Sequence, residues 1–489
     1  MLNYIKMLNN FIFFIIFTVK NTPECCNYNN KENGVKSYNN NNENINNKKE
    51  DENKDDDNKE EENKDEENDK KDDVNKDEEN KDDYKKEEEK NIKDKEDKKE
   101  DSLIEKCKEY FECMEIVKKQ YDRCDKSQDL TKYKIDESKF NDIIDNVNKV
   151  NEEYRVFIQS DTEGKVFNII SALQIANIID INKQITVYYN FNNGNFEKNK
   201  SENSIELKLF EVNKNFKGTY IHLGDIIDRC NGDHQCFKSL LLILYIKQEL
   251  GDKVKLICGN HELMYYNGQN FCECYDSDSD KRINFITRLI CLTAISKGQI
   301  QYLDKIKIGN TNYILTHKVL YEQDIDQIKL FLKETMKEEK DLKDYDIYNL
   351  IDVVNDNFKR YFCGIFYNYD KNKTNSKIIK YTELFNHLSN TIVVGDRFDE
   401  VGGYKICLEN QICGHDHHKI EECYIKDKNI LFVDNYSFDP ETYKAEHYQK
   451  LLANIHFFNK KEELSNHKLF NIINDKDKLE INIIDKFSK

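Results

Sequence analysis

The chain has 489 residues, a formal net charge of -18, fifteen cysteines, two prolines and no tryptophan. An acidic excess of this size argues against general attraction to a nucleic-acid backbone, so no nucleic-acid partner is expected. The length admits two or three average domains, yet the first hundred residues are too poor in apolar side chains to form one of them.

In chain order, Met1 to Cys26 carries Lys6 and then the uncharged run Phe11 to Val19. Nine residues cannot span a bilayer as a helix, and the length suits the apolar region of a signal peptide. The expectation is a secreted or secretory-pathway protein without a transmembrane helix, a cytoplasmic one being the alternative. Residues 27–101 are almost entirely Asn, Lys, Asp and Glu, with Val74 and Tyr84 among few apolar exceptions, and read as a disordered tail. Residues 102–150 read as a helical extension, with Leu103, Cys107, Tyr110 and Phe111 on one stripe and Phe140, Ile143, Ile144 and Val147 on another.

From 151 to about 460 the pattern is that of an α/β domain. Tyr154 to Gln159 is a predicted strand that ends in Ser160-Asp161-Thr162-Glu163-Gly164, and Val166 to Ile178 a helix. Residues 185–218 read as an inserted β-hairpin with a long polar tip, which includes the glycosylation triplet Asn199-Lys200-Ser201. Tyr220 to Leu223 is a strand broken at Gly224, after which Asp225, Asp228 and Arg229 occupy one loop. Phe237, Leu240, Leu241, Leu244 and Tyr245 recur at helical spacing, and Val254 to Cys258 is a second strand that runs into Gly259-Asn260-His261-Glu262. A helical crossover makes these strands parallel, so their C-terminal loops converge on one crevice.

Further on, Phe285 to Ser296 reads as a helix and Tyr313 to Leu315 as a strand ending at Thr316-His317. Residues 321–390 read as a helical cap, followed by Gly395-Asp396-Arg397. Cys413-Gly414-His415-Asp416-His417-His418 places His415 and His417 on one side of an extended segment, and Ile430 to Tyr436 closes the domain before a C-terminal extension, 461–489. Cys230 with Cys236, Cys272 with Cys274, and Cys407 with Cys413 are spaced for local disulfides in an oxidising compartment, while Cys258 reads as a small buried hydrophobe. No paired C-x-x-C motifs point to a structural zinc site.

Taken singly, an Asp on a loop is commonly a solvated turn residue, and a His after a strand is commonly structural. Taken together, a hard carboxylate (Asp225), a neutral carbonyl oxygen (Asn260), a proton donor (His261) and a planar cationic fork (Arg229) at adjacent strand ends suit a metal-assisted phosphate site. Gly224-Asp225-x-x-Asp228-Arg229 and Gly259-Asn260-His261-Glu262 resemble the second and third signature motifs of calcineurin-like metallophosphoesterases, and most closely those of the phosphoprotein phosphatase branch. Asp161 to Gly164, Thr316-His317 and Gly414 to His417 resemble the first, fourth and fifth. In the first, Ser160 stands in place of a Gly and Glu163 in place of a His.

The resemblance covers about Arg155 to Ser437. It implies a four-layer αββα sandwich holding two divalent metal ions, manganese foremost and iron or zinc as alternatives. Asp161, Glu163, Asp225 and His417 would hold the first ion, and Asp225, Asn260, His317 and His415 the second. His261 would be the general acid, oriented by Asp228. Arg229 would bind the phosphate, with Arg397 as a second contact whose alternative is a surface ion pair. Glu163 hardens the first site and adds a charge; the competing reading is that the first metal position is lost. Three functions stay open: a phosphatase for phosphoserine or phosphothreonine in proteins, a nucleotide or small-molecule phosphatase, and a catalytically silent phosphate-binding protein. The sequence names no regulatory subunit.

Overall fold

The computed structural model describes residues 128–228, 234–266, 278–336, 346–369, 408–415, 418–419, 423–433, 435–436, 451–475 and 478–484. The signal-like segment, the acidic tail, the first half of the expected helical extension and the end of the expected cap lie outside these residues. In chain order the elements are β1 (Gln128–Asp129), α1 (Asn141–Asn148), β2 (Arg155–Gln159), α2 (Val166–Ile175), β3 (Ile179–Asn190), β4 (Asn195–Glu197), β5 (Ser204–Val212), β6 (Thr219–His222), α3 (Gln235–Leu250) and β7 (Val254–Leu256). They continue with α4 (Asn260–Tyr266), α5 (Asp278–Ser296), β8 (Asp304–Ile308), β9 (Thr311–Thr316), α6 (Glu322–Met336), α7 (Ile347–Tyr369) and β10 (Gln411–Cys413). The last are β11 (His418–Lys419), β12 (Tyr424–Ile425), β13 (Ile430–Phe432), β14 (Asn435–Tyr436), β15 (Leu451–Asn459), β16 (Lys468–Asp475) and β17 (Lys478–Ile484).

Two mixed sheets carry the fold. One has the order β17-β16-β15-β2-β6-β7, and the other β12-β13-β10-β9-β8. Within them β2, β6 and β7 are mutually parallel, as are β9, β10 and β13. Side chains alternate across a strand, so each sheet presents two apolar faces. Val156 and Ile158 of β2 and Ile221 of β6 face Leu315, Ile412 and Leu431 of the other sheet in one buried cluster. Phe157 and Tyr220, one residue out of phase, face the opposite way into the larger cluster built with α2, α3, α5 and α7. Helices thus cover the far face of the six-stranded sheet, which packs its other face on the five-stranded one. On the outer face of the five-stranded sheet, Val319, Tyr321, Cys413, Ile430 and Phe432 form a small cluster to which none of the described helices contributes. The α/β class therefore stands; Ile314, out of phase with Tyr313 and Leu315 and so on the outer face of β9, shares the larger cluster with Ile325, Ile328 and Leu332 of α6, and the full four-layer sandwich stays an implication of the resemblance.

Several boundaries differ from the sequence reading. Part of the expected helical extension is the strand β1, which adds in parallel to β5, although α1 does bury Ile143 and Val147 as the stripe required. The inserted hairpin begins earlier, at Ile179, and its polar tip contains β4, so its three strands form with β1 a four-stranded sheet of order β1-β5-β3-β4. Residues 461–489 are not an appendage: β16 and β17 extend the six-stranded sheet through β15, which pairs with β2. The β2 partner of β15 lies about three hundred residues away in the chain, a distance over which local patterning carries no information. Within 321–390, α6 and α7 are helical as expected. Among the described residues, no helix is long and apolar enough to cross a membrane.

Candidate metal centre

Five parallel strands end at the same edge of the two facing sheets, and each delivers polar residues there. β2 leads to Asp161, β6 to Asp225, β7 to Asn260 and His261, β9 to His317, and β10 to His415. The loops hold one another through their backbones. Asp161 N–H donates to Gly224 O (3.0 Å), Glu163 N–H to Asp225 O (2.8 Å) and Gly164 N–H to Ile226 O (2.8 Å), so the β2 and β6 pairing continues past the strands. Asp161, Glu163, Asp225, Asp228 and His415 all have positive φ, a conformation that costs non-glycine residues energy and concentrates at functional sites.

Tight glycines allow the loops to close. Gly224 has φ +100, and a Cβ there would meet the Gly259 backbone at 2.6 Å and His317 Nδ1 at 2.7 Å. A Cβ on Gly259 would strike the Asp225 carboxylate.

Ligand-type atoms of Asp161, Asp225, His317 and His415 all lie within 4.8 Å of one another, and all but Asp161 are buried. His317 Nδ1 is 2.7 Å from Leu223 O, to which it donates, and this turns Nε2 inward. Nε2 there lies 2.7 Å from Asn260 Oδ1, 3.1 Å from His415 Nδ1 and 3.4 Å from Asp225 Oδ2. The His415 N–H donates to Asp161 Oδ2 (3.1 Å), and the Ser160 hydroxyl bonds the same oxygen.

The charge balance suits a cation. Burial opposes protonation of His317, yet the Asp225 carboxylate, with Asp161 behind it, lifts its pKa to about 10. Burial likewise opposes ionisation of Asp225, but the His261 and His317 rings outweigh it and hold the carboxyl well below the usual range. A site that keeps positive charge on a buried ring is one that a divalent ion would satisfy, and a mixed set of carboxylate, amide and imidazole donors without sulfur suits manganese, iron or zinc alike. The residues present therefore fit a metal ion, without fixing its identity or number.

Beside this group, His261 Nδ1 lies 2.7 Å from Asp228 Oδ2, and His261 Nε2 lies 3.5 Å from Asp225 Oδ2. The backbone N–H of His261 donates to Asp225 Oδ1 (2.8 Å), which anchors the ring's own residue to the ligand loop.

Not every expected residue joins. Glu163 is buried, but its carboxylate is not one of the four grouped ligands; it faces Lys165 Nζ at 3.9 Å. An ammonium two residues along compensates the charge that the Glu adds near two aspartates. His417, Arg229 and Arg397 lie outside the described residues, as do Cys230, Cys272, Cys274 and Cys407. Cys236 is disulfide-bonded. Cys413, inside a central strand, is not disulfide-bonded and donates its thiol to Leu431 O (3.7 Å), which corrects its expected pairing with Cys407. Cys258 is buried and free, and burial pushes its thiol up, in keeping with an apolar role. Two polar contacts behind the site were not legible in the sequence: Thr162 Oγ1 with His222 Nε2 (3.0 Å), and the Glu262 carboxylate with the Asp225 loop.

No protein-family model and no curated protein matches the chain. Among solved structures, the chain is similar to a cold-active protein-tyrosine phosphatase of a psychrophile Shewanella sp., with 15% identity over 67% of this chain and 80% of that one and a TM-score of 0.33. A point mutant of a cold-active protein tyrosine phosphatase gives 15% identity, 67% and 80% coverage and a TM-score of 0.31. A further structure of a cold-active protein tyrosine phosphatase gives 16% identity, 67% and 78% coverage and a TM-score of 0.28. Likeness at this level fixes neither fold nor activity for this chain.

Proposed function

We propose that the chain is a metal-dependent phosphatase of the calcineurin-like kind, acting on phosphomonoesters, with phosphoserine or phosphothreonine in proteins as its substrate class. The observation that supports this reading is the convergence of Asp161, Asp225, His317 and His415 within 4.8 Å, with the His261 and Asp228 pair at its side. Asp161, Asp225, Asn260, His317 and His415 would hold metal, manganese foremost, with His417 completing the set as the resemblance implies. Bound divalent ions supply Lewis acidity toward phosphoryl oxygens and an activated water.

The chain's own residues do the rest. The Leu223 carbonyl fixes the His317 tautomer, so that Nε2 is the ligand atom. Asp228 accepts from His261 Nδ1 and aims Nε2 into the site, where a protonated ring is placed to give its proton to the leaving alkoxide. Arg229 and Arg397 are assigned to the equatorial phosphate oxygens, whose growing charge a guanidinium matches in geometry.

One observation favours a second reading, a catalytically weak phosphate-binding protein: Glu163 lies outside the four grouped ligands, with Lys165 Nζ 3.9 Å from its carboxylate. Turnover of an aryl phosphate by the purified full chain, measured without metal and with manganese, zinc or iron, separates the two. Metal-stimulated turnover supports the phosphatase; phosphate binding without turnover supports the alternative. Competition between a phosphopeptide and a nucleotide then assigns the substrate class.

A further inference from the structure

Glu262 stands at the third position of α4, and its Oε2 accepts the backbone N–H of Gly259 (2.7 Å), the residue that precedes the helix. That contact is half of an ordinary capping box and would account for a solvated glutamate. Glu262 is instead 1% exposed, and its carboxylate takes three more donors from a loop more than thirty residues earlier. Oε2 also accepts Asp225 N–H (2.9 Å), and Oε1 accepts Ile226 N–H (2.8 Å) and Ile227 N–H (3.2 Å).

A helix cap does not need these bonds, and they come at a cost. A carboxylate only 1% exposed has given up its hydration. Four N–H donors offset that cost, and in return one carboxylate pins the turn after β6, where Asp225 sits at φ +53, to the turn after β7, which carries Asn260.

We propose that Glu262 is the positioning residue of the metal centre, setting the spacing between Asp225 on one loop and Asn260 and His261 on the other. The proposal rests on the metal reading above. A carboxamide at this position keeps the shape but puts an NH2 group against two N–H donors, and an aspartate keeps the charge but cannot span both loops. Either change should let the ligand carboxylate and the amide oxygen drift apart.

The test compares the full-length wild type with Glu262→Gln and Glu262→Asp, using manganese binding by titration calorimetry and the visible absorption of the cobalt-loaded protein, with circular dichroism to check folding. The expected result is folded variants that bind manganese about 10- to 100-fold more weakly, the range for partners that orient ligands, with displaced cobalt bands. Folded variants with wild-type affinity and spectrum would overturn the role and leave Glu262 a staple of the fold. Failure of both variants to fold at any manganese concentration would do the same. Absence of manganese binding by the wild type would remove the metal reading itself, an outcome distinct from the other two.

Discussion

Nδ1 of His261 and Oδ2 of Asp228 lie 2.7 Å apart, although the two residues are 33 positions apart and sit on loops that follow different strands. Both side chains are buried, so the pair is shielded from competing water. The contact gives the ring one orientation.

His261→Asn should therefore retain metal and fold while turnover falls by about 100- to 10,000-fold, the usual range for loss of a general acid. Asp228→Asn should lower kcat by a smaller factor with KM nearly constant, because it disturbs the ring's orientation and not its presence. Steady-state kinetics on an aryl phosphate checks both. An unchanged rate in the first variant would remove His261 from the mechanism.

Glu163 and Lys165 form a local pair outside the four grouped ligands. Glu163→Gln is expected to change manganese affinity by less than about threefold, since surrounding ligands and not this carboxylate set it. A drop of one hundredfold, read by calorimetry, would return Glu163 to the ligand set that the family resemblance implies.

Gly224 is expected to tolerate no side chain. Its φ of +100 and the 2.6 Å approach of a Cβ to the Gly259 backbone make Gly224→Ala both strained and crowded. A loss of about 1–3 kcal/mol in a urea titration is expected, together with weaker metal binding. A neutral result would mean that these loops separate easily.

Stability should also depend on pH through a second group of buried histidines. His467 donates from Nδ1 to Leu464 O (3.0 Å), lies 3.7 Å from Cys423 Sγ at Nε2, and packs its ring 5.2 Å from His456 and 6.1 Å from Tyr424. Burial lowers its pKa from 6.5 to about 4, and burial with the neighbouring His467 lowers that of His456 as well. The folded ring thus binds its proton less readily than the unfolded one. Above pH 6.5 neither state is protonated there and stability is flat; as pH falls from 6.5 to about 4 only the unfolded chain takes up the proton, and stability is lost. The difference in unfolding free energy between wild type and His467→Gln should fall across that window by on the order of 2–3 kcal/mol. A difference that is constant from pH 8 to pH 4 would contradict a ring buried in its neutral form.

The residues of the site were legible because their chemistry follows short apolar strands: Gly224-Asp225 after β6, Gly259-Asn260-His261 after β7, and His317 after β9 are each adjacent in sequence to the strand that places them. The alternation of Ile306 and Ile308 with Lys305 and Lys307 also marks β8. What the sequence hid was long-range. β16 and β17 are strands of the main sheet only because β15 lies on β2, and Glu262 acts on a loop 37 residues before it. Neither relation leaves a periodic trace. The contact of Glu163 with Lys165 was hidden for another reason: motif likeness points to a ligand and says nothing of a neighbouring ammonium.

Asp225 joins every part of this site, as the residue whose carboxylate meets His317, anchors the His261 backbone and accompanies Asp161. The most direct measurement is manganese binding and aryl phosphate turnover in one preparation of wild type and of Asp225→Asn, with circular dichroism to show that both are folded. The expected result is stoichiometric binding and metal-stimulated turnover in the wild type, and loss of both by more than about 100-fold in the variant. Metal-independent turnover in the wild type, or an Asp225→Asn protein that binds and hydrolyses as before, would contradict a metal centre at these strand ends.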